Sequence, residues 1–254
     1  MVLILPAMGV RASFYKDFAE ELANKGMHAV TADWRGFGES NVKISRNNNH
    51  GYKELIEELS QMMDLLSKHF PNAKKFILGH SLGGQVGALY ASKNPGKLDG
   101  LILVASCMVY YRVWGSRAGQ VQIAGRVFPI LSALFGYFPG HKIGFAGKEA
   151  RGVIKDWCRN ALKGIYRPDG DDFDYETALK ELNIPVLSIS FDKDSLALKS
   201  ACQALYQKLN PESPVKHVHL TEENTKLRPL NHFAWAKKPV VTAKLAKDWI
   251  AREF

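Results

Sequence analysis

The chain has 254 residues, of which 46% are hydrophobic and 23% charged, a balance typical of one compact domain that buries a large core. Its formal net charge is +9, but the lysines and arginines are spread along the chain, which favours a diffuse solvated basic surface over a nucleic-acid partner. The three cysteines are widely spaced, which argues against a disulfide framework and a zinc cluster. The chain starts without a basic apolar leader, and no uncharged apolar run approaches the ~18 residues of a membrane span, which argues against stable membrane insertion. Together these features predict a cytoplasmic protein.

Short apolar runs alternate with amphipathic stretches, which predicts an α/β fold with a parallel sheet covered by helices. In chain order the predicted elements are a strand at 2–5, a helix at 14–25 with Ser13 as its N-cap, a strand at 27–32, a helix at 52–69, a strand at 75–78, a helix that reaches residue 93, a strand at 100–105, a strand at 185–191, a helix at 199–209, a strand at 215–220 and a final helix at 237–254.

This alternation stops between residues 107 and 181, which contain no strong strand and many aromatic side chains. We interpret this stretch as a helical cap insertion, so that residues 1–106 and 182–254 form the core around the sheet. Tyr110, Tyr111 and Trp114 follow the end of a predicted strand and are candidates to line a substrate pocket. They could equally belong to the hydrophobic core of the insertion.

The segment Gly79-His80-Ser81-Leu82-Gly83 matches the pattern G-x-S-x-G at the junction of an apolar strand and an alanine- and glycine-rich helix. A serine in such a sharp turn adopts a strained backbone and presents its hydroxyl above the sheet, as a nucleophile must. The flanking glycines fit this setting because a Cβ atom there would clash with the neighbouring strand and helix. The alternative is a glycine-rich packing turn that happens to contain a serine.

A serine nucleophile needs a base, usually a histidine, and after this kind of turn the base comes later in the chain. Four of the eight histidines precede Ser81, and His141 lies in the insertion. His217 and His219 share one face of a predicted strand, where they could bind a metal ion, although partly exposed strand positions explain them better, so no metal site is predicted. His232, on the loop between the last strand and the last helix, is the predicted base, with helix capping as the alternative.

The acid that orients the base should lie at the carboxyl end of a strand between Ser81 and His232. Asp192 and Asp194 both follow the strand at 185–191, and either carboxylate could hold the imidazole in the required tautomer. Asp194 is favoured because it extends further past the strand end, and Asp192 is the alternative acid.

A tetrahedral intermediate also needs two backbone N–H donors for its oxyanion. These are predicted at Leu82, the residue after the nucleophile, and at Met8, in the turn after the first strand. No G-x-G-x-x-G pattern follows a strand, and the glycines and lysine of residues 144–148 lack the spacing of a phosphate-binding loop. No cofactor is therefore predicted.

Together these residues resemble the α/β-hydrolase superfamily over nearly the whole chain. The resemblance rests on the turn at 79–84, the D-x-R-G-x-G-x-S pattern at 33–40, the two aspartates and the segment Asn231-His232-Phe233. Three shorter segments, at 6–10, 135–140 and 156–159, look like a family of predicted bacterial α/β hydrolases of unassigned substrate. That resemblance implies Asp194 as the acid and a structural role for Asp33 and Arg35.

The sequence departs from the superfamily pattern in two places. Pro6-Ala7 replaces the usual His-Gly pair before the oxyanion residue. Such folds usually carry two antiparallel strands before the strand at 2–5, so either the chain start is truncated or misassigned, or the sheet has only six strands. With six strands, the strand at 27–32 is an open edge that invites homodimerisation or aggregation.

These features predict a serine hydrolase that cleaves carboxylic esters of apolar acyl or aryl groups through an acyl-enzyme. Its partner would be a small-molecule ester. The alternatives on the same triad are a thioesterase, a lactonase or a C–C hydrolase. A fold does not determine a function, so a non-catalytic ligand-binding homologue is a further alternative.

Overall fold

Six parallel strands form the central sheet in the computed structural model, which describes residues 1–254. In chain order the strands are β1 (Val2–Leu5), β2 (Ala29–Thr31), β3 (Phe76–His80), β4 (Gly100–Val104), β5 (Phe138–Pro139), β6 (Lys148–Glu149), β7 (Val186–Phe191) and β8 (Val215–Leu220). The sheet order is β2-β1-β3-β4-β7-β8, and β5 and β6 form a separate antiparallel pair. The predicted α/β fold is confirmed, and the sheet formed by this chain has six strands with β2 at its edge.

Helices cover both faces of this sheet. They are α1 (Lys16–Asn24), α2 (Tyr52–His69), α3 (Leu82–Lys93), α4 (Ala118–Phe135), α5 (Arg151–Lys163), α6 (Tyr175–Glu181), α7 (Lys199–Tyr206), α8 (Glu222–Thr225), α9 (Ala234–Lys237) and α10 (Val240–Glu253). Because parallel strands all end at the same edge, the loops after β1, β3, β4, β7 and β8 lie on one side of the molecule.

The sheet separates two hydrophobic cores. Successive side chains of a strand point to opposite faces, so Val2 and Ile4 of β1 belong to one core, and Leu3 and Leu5 belong to the other. Helices α1 and α10 pack over the first core, and α2 and α3 pack over the second. Burial on both faces explains why the central strands are continuous apolar runs in the sequence.

Two of the predicted helices differ in the structure. Ala12–Tyr15 forms a 3-10 turn before α1, and Ser13 makes no capping hydrogen bond, so its predicted N-cap role is wrong. The free N–H of Ala12 is instead bound by the carboxylate of Asp33, 2.7 Å away. The predicted final helix is two helices, α9 and α10, because Pro239 lacks an N–H and pushes the preceding residue out of the helical conformation.

Helices α4, α5 and α6 and the small β5–β6 pair lie between β4 and β7 in the chain. Helix α4 packs along α5, and α5 contacts the first turn of α2, where Asp156 accepts the N–H of Tyr52 at 2.9 Å. The division into a core and a cap at residues 107–181 stays a prediction. No helix in the structure is long and apolar enough to cross a lipid bilayer.

Candidate active site

Ser81 occupies the turn between β3 and α3 in a strained backbone conformation. Its φ angle is 52°, in the left-handed region that residues with a side chain rarely adopt. The N–H of Ser81 donates to the carbonyl of Val104 in β4 at 3.1 Å, and its carbonyl accepts the N–H of Gly84 at 3.1 Å. The strain is therefore maintained by the sheet and by the first turn of α3, as expected where a side chain must be held in one place.

Three glycines allow the strands and α3 to approach one another at this turn. A Cβ atom at Gly79 would collide with the backbone of Gly84, and one at Gly84 would collide with the hydroxyl of Ser106. A Cβ atom at Gly83 would collide with the carbonyl of Leu5 in β1. The clash predicted for side chains at these positions is confirmed.

Asp194 and His232 form a buried pair, with Asp194 in the turn after β7 and His232 in the loop between α8 and α9. Asp194 Oδ2 lies 2.8 Å from His232 Nδ1, and the residues are only 3% and 5% exposed. Asp194 Oδ1 accepts the N–H groups of Leu196 at 2.8 Å and Ala197 at 2.9 Å. A carboxylate that only accepts hydrogen bonds favours the imidazole tautomer with its proton on Nδ1, which leaves Nε2 free to accept one. Asp192 is exposed and does not contact His232.

A second histidine, which the sequence reasoning did not assign, packs beside this pair. The ring centre of His80 lies 4.7 Å from that of His232, and His80 Nδ1 lies 2.7 Å from the Tyr15 hydroxyl. The Tyr15 oxygen accepts the N–H of Ala7 at 2.9 Å, so its own hydrogen is free to be donated to His80. Burial, and then the neighbouring His232, hold the pKa of His80 well below its ordinary value, which keeps the ring neutral.

Tyr15 therefore connects the turn after β1 to the histidine next to Ser81. No sequence signal pairs Tyr15 with His80, which lies 65 residues further along the chain. Only the folded sheet brings the two side chains together.

Met8 and Leu82, the predicted oxyanion donors, line the same cavity as Ser81. The N–H of Met8 makes no hydrogen bond within the protein. Leu82 is the first residue of α3, where N–H groups have no partner inside the helix and where the helix dipole favours negative charge. Two residues whose backbone N–H groups have no partner in the protein thus line the same cavity as Ser81.

Ser81 and His232 both line one cavity of about 330 Å³. His232 is hydrogen-bonded through Nδ1 to Asp194, and the Ser81 hydroxyl makes no hydrogen bond within the protein. The hydrogen bond between a nucleophile and its base is often long before substrate binds. Much of the remaining wall comes from the segment between β4 and β7 and is mostly hydrophobic. Lining side chains of this segment that were not singled out from the sequence include Arg117, Phe128, Phe145 and Trp157, and Gln85 of α3 also lines the cavity.

Of the three aromatic residues predicted to line the pocket, only Trp114 does so. Tyr110 packs against Gly164, and the Tyr110 and Tyr111 rings meet edge to face at 5.1 Å outside the cavity. Trp114 is held by a hydrogen bond from its indole N–H to the carbonyl of Met108 at 3.2 Å. The two tyrosines therefore pack within the segment between β4 and β7, as the alternative prediction had it.

His217 and His219 lie away from the cavity, where both hydrogen-bond to the buried hydroxyl of Ser190 at 2.8 Å. Burial lowers the pKa of His217 to about 4. In the structure no group of three or more histidine, cysteine, aspartate or glutamate side chains is placed to hold a metal ion.

The parallel sheet, the strained serine turn and the Asp–His pair that follows it in the chain define the class of α/β hydrolases. Residues 1–154, more than half of the chain, match the family described as serine aminopeptidase, S33. The chain belongs to this family.

Individual relatives are more distant. The chain is 25% identical to monoglyceride lipase of Homo sapiens over 105 residues, which cover 41% of this chain and 34% of the relative. It is 25% identical to lysophospholipase L2 of Escherichia coli K12 over 108 residues, covering 41% and 32%. The match thus spans about a third of the length of these curated relatives. The structure of Est1E from Butyrivibrio proteoclasticus with bound ferulic acid superposes on this chain with a TM-score of 0.66 at 15% sequence identity. The superposition covers 99% of this chain and 88% of Est1E, and it supports the fold.

Proposed function

We propose that the protein is a serine hydrolase that cleaves carboxylic esters of apolar acyl or aryl groups through an acyl-enzyme. The observation that carries the proposal is the meeting of the strained Ser81 and the buried Asp194–His232 pair on one mostly hydrophobic cavity. Acyl transfer needs a nucleophile, a base held in one tautomer and donors for an oxyanion. The position of Ser81, His232, Met8 and Leu82 around this cavity supports these three roles.

In the acylation step, the Ser81 oxygen attacks the ester carbonyl carbon while His232 Nε2 takes the hydroxyl proton. Asp194 stabilises the resulting imidazolium through the 2.8 Å hydrogen bond to Nδ1. The N–H groups of Met8 and Leu82 bind the oxyanion of the tetrahedral intermediate. The intermediate collapses when the carbon–oxygen bond to the alcohol breaks, and the alcohol leaves with the proton from His232.

The deacylation step repeats this chemistry with water as the nucleophile. His232 Nε2 takes a proton from water, the hydroxide oxygen attacks the acyl carbon, and the bond to Ser81 breaks as the proton returns to the serine. The products are a carboxylic acid and free enzyme. No metal ion or cofactor takes part in these steps.

The cavity supports apolar acyl or aryl groups as the substrate class. Its volume of about 330 Å³ is at the lower end of the range for small-molecule sites. Aromatic and aliphatic side chains such as Trp114, Phe128 and Trp157 form its walls. The names of matched relatives, monoglyceride lipase and lysophospholipase L2, also support esters with a lipid-like part.

A fluorophosphonate probe tests the nucleophile because it reacts only with an activated serine. We expect labelling of the wild-type protein at Ser81, none in Ser81→Ala and slow labelling in His232→Ala. Ser195→Ala is the matched control, since Ser195 lines the same cavity, and it should label like wild type. A folded wild-type protein that does not react would contradict the proposal and favour a ligand-binding homologue.

A panel of p-nitrophenyl esters of increasing acyl length then defines the substrate. The hydrophobic walls predict that kcat/KM rises from acetyl to medium-length acyl groups and falls once the chain exceeds the cavity. A parallel panel of thioesters and lactones separates the other reactions that the same triad could catalyse.

A further inference from the structure

Helix α4 exposes a continuous hydrophobic stripe. Ile123, Val127, Ile130 and Leu134 are spaced by four, three and four residues and so lie on one face of the helix. Their exposed fractions are 63%, 41%, 60% and 67%, and Phe135 at the end of the helix is 41% exposed. Single exposed hydrophobic residues are ordinary, but a contiguous row of large ones marks an interaction surface. We call these five residues the α4 stripe.

The surroundings of the α4 stripe are strongly basic. Residues 100–148 contain no aspartate or glutamate, and they contain five cations, Arg112, Arg117, Arg126, Lys142 and Lys148. This segment therefore holds a large share of the net charge of +9 while the acids lie elsewhere in the chain. Glu149, the next acid, is buried, and burial raises its pKa to about 8, so it adds no full negative charge at neutral pH.

Several cations lie directly beside the stripe. Arg126 is exposed on α4 itself. Lys142 Nζ lies 5.2 Å from the ring centre of Phe135, and Arg46 Nη2 donates to the carbonyl of Leu134 at 2.8 Å. The stripe is therefore a hydrophobic row bordered by positive charge, with no acidic residue in its own segment.

The stripe also lies beside the proposed substrate site. Other residues of α4, including Val121, Ala124 and Phe128, line the cavity that holds Ser81. Ile143 lines the cavity too and is 52% exposed, so it lies where the cavity opens to the surface. A hydrophobic phase in contact with the stripe would be close to the cavity opening.

We propose that the α4 stripe docks on an anionic phospholipid surface, with its hydrophobic side chains in the interface and its flanking cations at the headgroups. This is the arrangement of an amphipathic helix that lies in the plane of a membrane surface. Lysine and arginine near anionic lipid each add to the attraction. A second copy of the chain fits less well, because a symmetric contact through the stripe would bring Arg126 and Lys142 of both copies together.

Vesicle cosedimentation tests this docking without any turnover, so its outcome is independent of the proposed hydrolase activity. The full chain is mixed with vesicles of phosphatidylcholine containing about one third phosphatidylserine, and with vesicles of phosphatidylcholine alone. We expect binding to the anionic vesicles that weakens as salt is raised. Ser81→Ala should bind like wild type.

Two double variants separate the hydrophobic and charge contributions. Ile130→Ser with Leu134→Ser should weaken binding to anionic vesicles about tenfold or more. Leu65→Ser with Val240→Ser is the matched control, since these residues are 56% and 59% exposed on α2 and α10, and it should bind like wild type.

Arg126→Gln with Lys142→Gln should also weaken binding about tenfold or more, against the control Lys97→Gln with Lys180→Gln on other surfaces. All four variants change exposed side chains, and unchanged circular dichroism spectra and Tm values confirm that they fold.

Three results would overturn the proposal. The first is a wild-type protein that does not bind anionic vesicles at low salt. The second is equal loss of binding in the stripe variants and their controls. The third is a dimer in sedimentation velocity that only the stripe variants break, with no vesicle binding, which would assign the stripe to a second copy of the chain.

Discussion

Asp194→Asn changes one oxygen of the proposed triad to nitrogen while it preserves the shape of the side chain. In the structure, Asp194 Oδ1 accepts two backbone N–H groups, at 2.8 and 2.9 Å, and Oδ2 faces His232 Nδ1 at 2.8 Å. The single oxygen of asparagine must keep facing the two N–H donors. Its NH2 group then faces His232 and donates to Nδ1, so the imidazole proton moves to Nε2.

A histidine with its proton on Nε2 cannot accept the proton of Ser81. The variant also loses the negative charge that stabilises the imidazolium. Loss of the acid from a serine triad in this way lowers kcat by about 10⁴-fold. A factor of this size corresponds to about 5 kcal/mol in the activation free energy. Because the packing is unchanged, we expect the Tm to move little.

The assay is the steady-state hydrolysis of a p-nitrophenyl ester together with the rate of fluorophosphonate labelling. Asp192→Asn is the control, since Asp192 follows the same strand but is exposed, and its kcat should stay within about twofold of wild type. If Asp192→Asn lost activity and Asp194→Asn kept most of it, the pairing that we assign would be refuted. Equal losses of activity in Asp192→Asn and Asp194→Asn would also refute this pairing.

Three further predictions concern stability and positioning. Burial raises the pKa of Glu149 from 4.5 to about 8, so the stability that its protonated form contributes is lost as pH rises between these values. In urea unfolding, the free energy of unfolding of Glu149→Gln relative to wild type should therefore rise by up to about 1.4 kcal/mol per pH unit in this range. A difference between the two proteins that does not change with pH would contradict the prediction. In thermal melts, Gly79→Ala should lower the stability of the fold by about 1–3 kcal/mol or more, because the added Cβ atom clashes with the following helix. Gly119→Ala is the control on α4, where the added Cβ atom meets open space, and it should raise the stability by up to about 1 kcal/mol. Tyr15→Phe removes the hydroxyl that links His80 to the turn after β1 and should lower kcat much more than it changes KM, while a change in KM alone would make its role one of substrate binding.

The parts of the fold that depend on local pattern could be predicted from the sequence. The inner strands β1 and β4 are continuous apolar runs because both faces of the sheet are covered there, and the sequence located all six strands of the sheet. The serine turn combines a G-x-S-x-G pattern with a strand before it and a helix after it, and the glycines meet the backbone as expected. The order of serine, acid and histidine then left His232 and two aspartates as candidates, which the structure distinguishes by burial and distance.

Features that depend on contacts between distant segments could not be predicted. Ser13 looked like an N-cap, but Asp33 binds the free N–H there because the sheet brings the two turns together. The link from Tyr15 to His80 has the same origin. Tyr110 and Tyr111 could have lined the pocket or packed inside the insertion, and only the path of the chain after β4 decides between these positions.

The reacting groups and most of the cavity wall come from different elements. Ser81, Asp194 and His232 lie in turns and loops after β3, β7 and β8, whereas α4 supplies part of the wall and packs mainly on α5 rather than on the sheet. If the proposed function holds, substitutions in the cavity-facing residues of α4 can alter which acyl groups fit without moving the proposed triad. Selection in nature, or in a directed-evolution library confined to α4, could then change specificity in small steps while the proposed chemical step is inherited intact.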